Sequence, residues 1–393
     1  MKQDTIYKNL NENQKKAVNL VDGPVLILAG PGTGKTQLLS VRAANIMRKS
    51  NIRGENILIL TYTNSAAKAV KERLANIVGF RGYEVIAETF HGFANSIILD
   101  SEEAAEYIKM RIQMTDIEKV KAIEYILDNF KAIETLKPFG YPYLYRSEIN
   151  KRISELKNEA ITPERFEKLI NEIDKDTPGI EEKHLLRLKE LSFIYTKYEE
   201  IKKGTDRKIF DERGRYDYDD MILLAIETLN KEPTLKAAYR EKYKYIMVDE
   251  FQDTNGAQLK LLFELIEGSS PNICCVGDDD QSIYKFQGAS TANFKILQKR
   301  FPGISVIKLK RNYRSSKEIL SLTSKIIKQI PRKERLDEDK KLIPAIDHQN
   351  KMIEVMTFST EDEEILYIIK KIKELKELIQ SSKDLKKEDR IAP

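Results

Sequence analysis

A glycine-rich run at the end of an apolar strand pattern constrains the fold of this chain more than any other feature. Residues 25–28 form the apolar run, and a helical pattern from about residue 36 to residue 49 follows. Between them the backbone can approach phosphate oxygens at small residues, with a lysine as a mobile cation and a threonine hydroxyl for Mg²⁺. The helix start would face the same anion. The spacing therefore predicts a phosphate-binding loop, rather than an ordinary strand-to-helix turn, formed by Ala29, Gly30, Pro31, Gly32, Thr33, Gly34, Lys35 and Thr36.

The length and composition indicate a globular protein of several domains. The chain has 393 residues, 41% of them hydrophobic, which exceeds one typical core. Its net charge of +5 permits a nucleic-acid partner without requiring one. The two cysteines, Cys274 and Cys275, are adjacent in an apolar run and are expected to be buried. We find no membrane-length apolar run and no signal-peptide pattern, and we expect a cytoplasmic protein.

The hydrophobic pattern predicts an α/β fold interrupted by a helical insertion. Strand-like runs at residues 25–29, 57–62 and 85–88 alternate with helical segments, which favours a parallel sheet. Residues 101–204 instead show long charged segments with apolar residues at helical spacing. Strand patterns resume at residues 245–248, 273–276 and 305–309, and a further strand at 352–358 precedes an amphipathic helix at 363–379. We expect that helix to pack on its own sheet. The predicted units are residues 1–100, 101–204, 205–305 and 306–393.

A pair of carboxylates follows the strand pattern at residues 245–248. Asp249 can hold Mg²⁺, and Glu250 is placed to accept a proton from an attacking water. An acidic loop is the alternative, but the phosphate-binding loop upstream makes a nucleotide site the better interpretation. Since Lys35 and Asp249 lie far apart along the chain, an insertion between them is expected.

A third polar segment follows the next strand pattern. Gln281 could bond both a γ-phosphate and the attacking water, which would make it a sensor of nucleotide state. Tyr284 and Phe286 come just after it and suit stacking on nucleic-acid bases, although packing in a core is the alternative for such aromatics.

Seven segments occur in the order that is found in one helicase family. They include the phosphate-binding loop, and the others are residues 11–14, 60–67, 89–92, 248–254, 276–286 and 309–315. In these segments the chain resembles the UvrD/Rep/PcrA-like helicases of superfamily 1. The resemblance implies two RecA-like motor domains, of which the second is partial here, and an ATP-driven motor moving 3′ to 5′ on single-stranded DNA.

The resemblance also assigns roles to individual residues at the nucleotide site. Gln14 matches a glutamine that reads adenine, although Asn11 and Gln14 also fit a capping box at a helix start. Tyr313 matches a tyrosine that stacks on adenine. Arg314 matches an arginine that reaches the γ-phosphate when the motor domains close. Lys35, Thr36, Asp249, Glu250 and Gln281 keep the roles given above, so ATP and Mg²⁺ are the expected cofactors.

On the DNA side, the resemblance places a set of aromatic and polar residues along a single-strand channel. Their side chains suit base stacking and hydrogen bonds to phosphates. For His91 a solvated or capping role is the alternative. These residues are Tyr62, Thr63, Asn64, Thr89, Phe90, His91, Tyr284 and Phe286.

The sequence departs from the family pattern at several positions. Gln37 and Gln287 stand where many members have arginine, and Phe286 stands where tryptophan is frequent. After Arg314 we recognise none of the family's later motifs. We therefore expect only part of the second motor domain, with further domains or a partner protein completing it. The expected partners are single-stranded DNA and junctions of single-stranded and duplex DNA, without a membrane.

Three functions fit these observations. The first is a DNA-stimulated ATP hydrolase that translocates on single-stranded DNA, and the second is a module that binds ATP and DNA without unwinding on its own. The third, an unrelated P-loop ATPase or kinase, does not account for the segments at residues 89–91 and 312–314.

Overall fold

The centre of the molecule is a six-stranded parallel sheet. The computed structural model describes residues 2–173, 181–204, 209–266, 271–281, 292–329, 336, 340–346 and 353–381. The sheet order is β3-β2-β6-β7-β1-β8, and every neighbouring pair is parallel. Its strands are β1 (Val25–Ala29), β2 (Ile57–Thr61), β3 (Ile86–Thr89), β6 (Tyr245–Val248), β7 (Ile273–Gly277) and β8 (Ser305–Leu309). The expected α/β fold with a parallel sheet is confirmed.

The helices fall into three groups along the chain. Those that precede the insertion are α1 (Lys2–Lys8), α2 (Glu12–Asn19), α3 (Lys35–Lys49), α4 (Asn64–Val78), α5 (Phe90–Leu99) and α6 (Glu102–Lys109). The insertion carries α7 (Asp116–Asn129), α8 (Arg146–Asn158), α9 (Pro163–Asn171) and α10 (Glu182–Lys202). The remaining helices are α11 (Asp220–Lys231), α12 (Pro233–Lys242), α13 (Gly256–Leu265), α14 (Ala292–Arg300), α15 (Lys317–Ile327) and α16 (Glu361–Ser381).

Both faces of the sheet are covered by helices, as the continuous apolar strands require. One face packs against α5, α11, α13 and α14, and the other packs against α2, α3 and α4. Cys274 and Cys275 are neighbours on β7, so their side chains enter opposite cores. Both thiols are free and buried, as the sequence predicts.

The insertion has a hydrophobic core of its own, built by α7, α8 and α10. Two short strands, β4 (Ile112–Gln113) and β5 (Arg215–Tyr216), pair with each other where the chain enters and leaves it. Before them, α6 packs Ala104 into the core of the sheet domain. The insertion in the structure is mainly helical. The chain enters and leaves it near residues 112 and 215, where β4 and β5 pair.

The region after the sheet differs from the expectation at two points. Strand β8 pairs with β1, so residues 305–309 belong to the first sheet, and β9 (Arg311–Asn312) and β10 (Ile343–Pro344) pair with each other beyond it. Residues 353–358 form no strand, which corrects the prediction for 352–358. The apolar side chains of α16 that the structure describes are exposed, between 44% for Ile369 and 65% for Leu366. The expected packing of this helix is not observed. Among the described helices, none has an apolar stretch of the length that crosses a bilayer.

Candidate active site

The phosphate-binding loop joins β1 to α3 at the carboxyl edge of the sheet. Gly32 and Gly34 have φ angles of 68° and 85°, which glycine adopts without the steric cost of a Cβ. The hydroxyl of Thr33 donates a hydrogen bond of 2.7 Å to the carbonyl of Gly30, across the loop. The sequence thus folds into a braced loop whose lysine, Lys35, opens the following helix.

Lys35 meets Glu250 across the edge of the sheet. Their Nζ and Oε2 atoms are 2.8 Å apart, and Lys35 is only 9% exposed. The parallel strands β1 and β6 end at the same edge, which brings these distant residues together. Glu250 has a φ of 48°, a costly conformation for a residue with a side chain and one that clusters at functional sites. The amide of Gln252 donates to Glu250 Oε2 at 2.8 Å and fixes the carboxylate.

Asp249 and Thr36 form an oxygen-rich pair beside this ion pair. Asp249 is 4% exposed, and burial and the charge of Glu250 raise its pKa to about 6, against Lys35 and the hydroxyl of Thr36. A hydroxyl and a carboxylate oxygen are ligand types that Mg²⁺ prefers. The residues expected to hold Mg²⁺ therefore fit that ion.

Asp253 is a partly buried acid to which sequence reasoning gave no role. Its pKa is raised to about 6 by burial and by the charge of Glu250. Its Oδ1 atom is buried and accepts no hydrogen bond among the described residues. The sequence shows Asp253 three residues after Glu250, in the same acidic segment. In the structure these residues lie at the start and the end of a single turn of 3-10 helix, which places them close together.

Gln281 lies in the same cluster of side chains through Asp278. Its Nε2 donates to Asp278 Oδ2 at 2.8 Å, and Asp278 N–H donates to Gln252 Oε1 at 2.9 Å. Gln252 in turn holds Glu250, so the candidate sensor and the candidate base are joined by a continuous hydrogen-bond path. The linking residues, Gln252 and Asp278, were not predicted.

Asn312 docks the segment that carries Tyr313 and Arg314 onto the phosphate-binding loop. Its Nδ2 donates to the carbonyl of Pro31 at 2.6 Å, and its Oδ1 accepts the backbone N–H groups of Arg314 and Ser315. The backbone N–H of Tyr313 donates to the carbonyl of Gly32 at 2.8 Å. Asn312 is fully buried, and sequence reasoning missed its role.

Gln14 serves the helix cap and the loop at once. Asn11 and Gln14 form the capping box of α2, and the Nε2 of Gln14 also donates to the carbonyl of Thr33 at 3.1 Å. Asn11 Nδ2 donates to the hydroxyl of Tyr313 at 2.9 Å. The two candidate adenine contacts, Gln14 and Tyr313, therefore lie beside one cleft.

This cleft has a volume of about 520 Å³ and collects most of the predicted nucleotide-site residues. Its lining also includes Arg73 of α4, which was not predicted, and Gln37, where the family pattern has arginine. A second cleft of about 440 Å³ adjoins it and is lined by Asp249, Glu250 and Gln281. The predicted residues that line the first cleft are Gln14, Pro31, Gly32, Gly34, Lys35, Thr36, Glu250, Gln281, Tyr313 and Arg314.

The predicted DNA-side residues of β2 and β3 lie at neighbouring strand ends. Tyr62 is 38% exposed and lines the second cleft with Thr63. Thr63 caps α4 and Thr89 caps α5, each through a backbone N–H three residues on. Asn64 and Thr89 line a further groove between the two helices.

Two of the predicted DNA-side residues, Phe90 and His91, are less accessible to DNA than the sequence predicts. Phe90 is 3% exposed and packs in the core of the sheet, so the structure does not support base stacking by its ring. From the sequence, an aromatic residue just after a strand is expected to be exposed. In the structure Phe90 is the first residue of α5, and its side chain lies between this helix and the sheet. His91 stacks on Tyr218 with ring centroids 4.0 Å apart, and burial lowers its pKa against the charge of Asp219. Tyr284, Phe286 and Gln287 lie outside the described residues.

The groove between α4 and α5 contains two lysines that sequence reasoning missed. Its volume is about 320 Å³, and Lys68 and Lys71 line it with Asn64, Thr89 and Gly92. Both lysines lie on α4 three residues apart, which puts them on one face of the helix. Their spacing was visible in the sequence, but not the neighbouring strand end that completes the groove.

Comparison with known proteins accounts for these features together. A family profile described as the UvrD/REP helicase N-terminal domain matches residues 10–302, and one described as the UvrD-like helicase C-terminal domain matches residues 307–391. The similarity thus continues past Arg314, where we recognised no motif.

The chain is also similar to curated helicases. It is 35% identical over 328 residues to DNA helicase II of Rickettsia typhi, covering 83% of this chain and 46% of that protein. It is 32% identical over 369 residues to ATP-dependent DNA helicase PcrA of Staphylococcus epidermidis, covering 94% of this chain and 46% of that protein. With PcrA of Bacillus subtilis the identity is 32% over 335 residues, covering 82% and 40%. The chain spans less than half the length of these relatives. It belongs to the UvrD/Rep family of superfamily 1 DNA helicases.

Proposed function

We propose that this chain is an ATP-hydrolysing motor that moves 3′ to 5′ along single-stranded DNA. The observation that carries the proposal is the Lys35–Glu250 ion pair, in a cleft that also contains Gln281, Tyr313 and Arg314. The names of the relatives support ATP and DNA as ligands. The direction of movement, action at junctions with duplex DNA, a cytoplasmic location and completion by further domains or a partner are part of the proposal.

Lys35 and Glu250 would separate when ATP binds. The ammonium of Lys35 then turns to the phosphates, and Glu250 Oε2 becomes free to accept a proton from the attacking water. Gln252 keeps this carboxylate in place through its 2.8 Å hydrogen bond. Thr36 and Asp249 would hold Mg²⁺, which when bound neutralises charge on the phosphate oxygens.

Arg314 and Gln281 would complete the site around the γ-phosphate. Arg314 is exposed in the cleft and is carried on the segment that Asn312 docks, so its guanidinium can stabilise charge that develops in the transition state. Tyr313 and Gln14 would bind the adenine. Gln281 would bond the γ-phosphate and the water.

The DNA strand would cross the carboxyl ends of β2 and β3. Tyr62, Thr63, Asn64 and Thr89 lie there, close to the second cleft or the α4–α5 groove. Because Tyr62 and Thr63 share the second cleft with Glu250 and Gln281, a change at the nucleotide can reach the DNA over a short distance. His91 and Tyr218 offer a stacked pair of rings nearby.

The proposal is tested by ATP hydrolysis with and without single-stranded DNA. We expect DNA to stimulate turnover, and Glu250→Gln to reduce it by roughly 10²- to 10⁴-fold, the range for loss of a general base, while nucleotide binding persists. Equal turnover by Glu250→Gln and the unchanged protein would contradict the assigned base. If the protein bound neither ATP nor DNA, the functional assignment would be wrong.

A second candidate function is supported by α16. Its apolar residues remain 44% to 65% exposed, so this part of the second motor unit buries little surface in the described chain. A chain of this kind could bind ATP and DNA without unwinding on its own. Tight nucleotide binding without stimulation by DNA would favour this candidate.

A further inference from the structure

Lys340 is a buried lysine at the junction of the two motor units. It is 9% exposed and lies just before β10, beyond the end of the first sheet. Its Nζ is paired with Asp278, and it lies 3.2 Å from Asp279 Oδ1 and 3.1 Å from Asp280 Oδ2. Three consecutive carboxylates of one unit therefore converge on one cation of the other.

Lys340 offsets part of the negative charge of this cluster. Burial by itself would lower the pKa of Lys340, but the three aspartates raise it above its ordinary value, so the side chain is cationic. Without it, carboxylates that lie within 4.8 Å of one another would repel each other and an incoming polyphosphate.

Asp278 connects Lys340 to the active site. One carboxylate oxygen pairs with Lys340, and the other accepts the hydrogen bond from Gln281 Nε2 at 2.8 Å. Its backbone N–H continues the path to Gln252 and from there to Glu250. The position of Lys340 thus bears on both the candidate sensor and the candidate base.

The segment around Lys340 is anchored independently. Ile343 and Pro344 pair with Arg311 and Asn312, next to Arg314. The side chain of Leu342 packs on the phosphate-binding loop so closely that a Cβ at Gly30 would meet it at 2.8 Å. Lys340 therefore contacts the Asp278 cluster, Leu342 contacts the phosphate-binding loop, and Ile343 and Pro344 pair with the strand that leads to Arg314.

We propose that Lys340 is a positioning residue for ATP hydrolysis, which holds Asp278 so that the Gln281 amide faces the γ-phosphate only when the second motor unit is docked. This inference rests on the proposed function. It adds a second contact, besides Arg314, by which closure of the motor reaches the γ-phosphate site.

The test compares the affinities for ADP and for a non-hydrolysable ATP analogue, both with Mg²⁺, and uses Lys340→Met. Discrimination between the two ligands reports on the γ-phosphate contact and needs no turnover. We expect Lys340→Met to reduce the ratio of the affinities for the ATP analogue and for ADP at least about fivefold, while the affinity for ADP stays within about twofold. We also expect kcat to fall about tenfold or more. Lys340→Arg should restore most of the loss, since it keeps the charge.

Two further variants make the result specific. Lys341→Met removes an exposed lysine next in sequence and should behave like the unchanged protein. Gln281→Ala should lose discrimination similarly, and the double variant with Lys340→Met should lose no more than either alone, because both act through one contact.

Several outcomes would overturn the inference. Unchanged discrimination in Lys340→Met would do so, as would additive losses with Gln281→Ala. Loss of ADP binding in Lys340→Met would show that the segment supports the phosphate-binding loop instead. If the unchanged protein bound neither nucleotide, the proposed function itself would fail, which is a distinct result.

Discussion

At the scale of single residues, the lysines of the α4–α5 groove carry the clearest expectation for DNA. We predict that Lys68→Ala combined with Lys71→Ala weakens binding of single-stranded DNA at low salt. Each phosphate contact that is lost should reduce the slope of log affinity against log salt by about 0.7. Measuring affinity over a series of salt concentrations checks this.

The matched control removes two lysines elsewhere. Lys373 and Lys376 are exposed on α16 with the same three-residue spacing. Their replacement by alanine should leave the salt slope unchanged. If both double variants reduced the slope equally, the groove would have no special role.

The residues of the nucleotide site were predictable to different degrees. Lys35, Thr36, Asp249 and Glu250 follow strand patterns, and residues after parallel strands meet at one edge. Asn312 could not be assigned in this way, because its partner Pro31 lies 281 residues away in the chain and becomes a neighbour only in the folded protein. Phe90 was assigned a DNA contact that the structure does not support, since its sequence context does not reveal which side of α5 faces the core.

At the scale of elements, Gly32 joins the phosphate-binding loop to the segment that carries Arg314. A Cβ at Gly32 would lie 2.7 Å from Arg314 Cβ and 2.8 Å from Asn312 Nδ2, and its φ is 68°. We predict that Gly32→Ala costs about 1–3 kcal/mol of stability from backbone strain and lowers ATP turnover by displacing that segment. Thermal unfolding and hydrolysis assays measure the two effects.

The control is Gly303→Ala, because a Cβ there meets no atom within 4 Å. Its stability should change by less than about 0.5 kcal/mol. Asn312→Ala removes the same docking from the other side, so we expect a similar loss of turnover that does not add to that of Gly32→Ala. Additive losses would mean that the two residues act separately.

Strand prediction succeeded where burial on both faces demands apolar residues and failed beyond the first sheet. Strands β1 and β6 have the predicted bounds, because each is a short apolar run that is fully buried. The edge strand β8 also has the predicted bounds, although three of its five residues are not buried. Residues 352–358 carry a similar pattern, yet 353–358, the part of this run that the structure describes, form no strand.

At the scale of the whole molecule, a buried ion network joins the insertion to the sheet domain. Lys157 of α8 is 1% exposed and contacts Asp217 at 2.6 Å, Asp220 at 2.7 Å and Glu199 at 2.7 Å. Asp220 opens α11, which packs on α5 in the core of the sheet domain, whereas Glu199 lies on α10 of the insertion. The network therefore fixes the two bodies to each other.

We predict that Lys157→Met lowers the free energy of unfolding by about 3 kcal/mol, because it leaves buried carboxylates with less compensation. Denaturant unfolding followed by circular dichroism measures this change. Lys189→Met, at an exposed position on α10, should have little effect. Comparable losses in the two variants would show that the buried network is not important for stability.

The sequence by itself predicted a phosphate-binding loop, a carboxylate pair and a helical insertion, and it determined the α/β class that the structure confirms. These follow from local patterns, since strand ends and glycine-rich turns depend on neighbouring residues. Only the tertiary structure decided that Lys35 pairs with Glu250, that Asn312 donates to Pro31, and that Lys340 reaches Asp278. Such contacts join residues that are far apart in the chain, and their geometry depends on strand order and on how residues 310–346 pack on the sheet domain, which no local pattern contains.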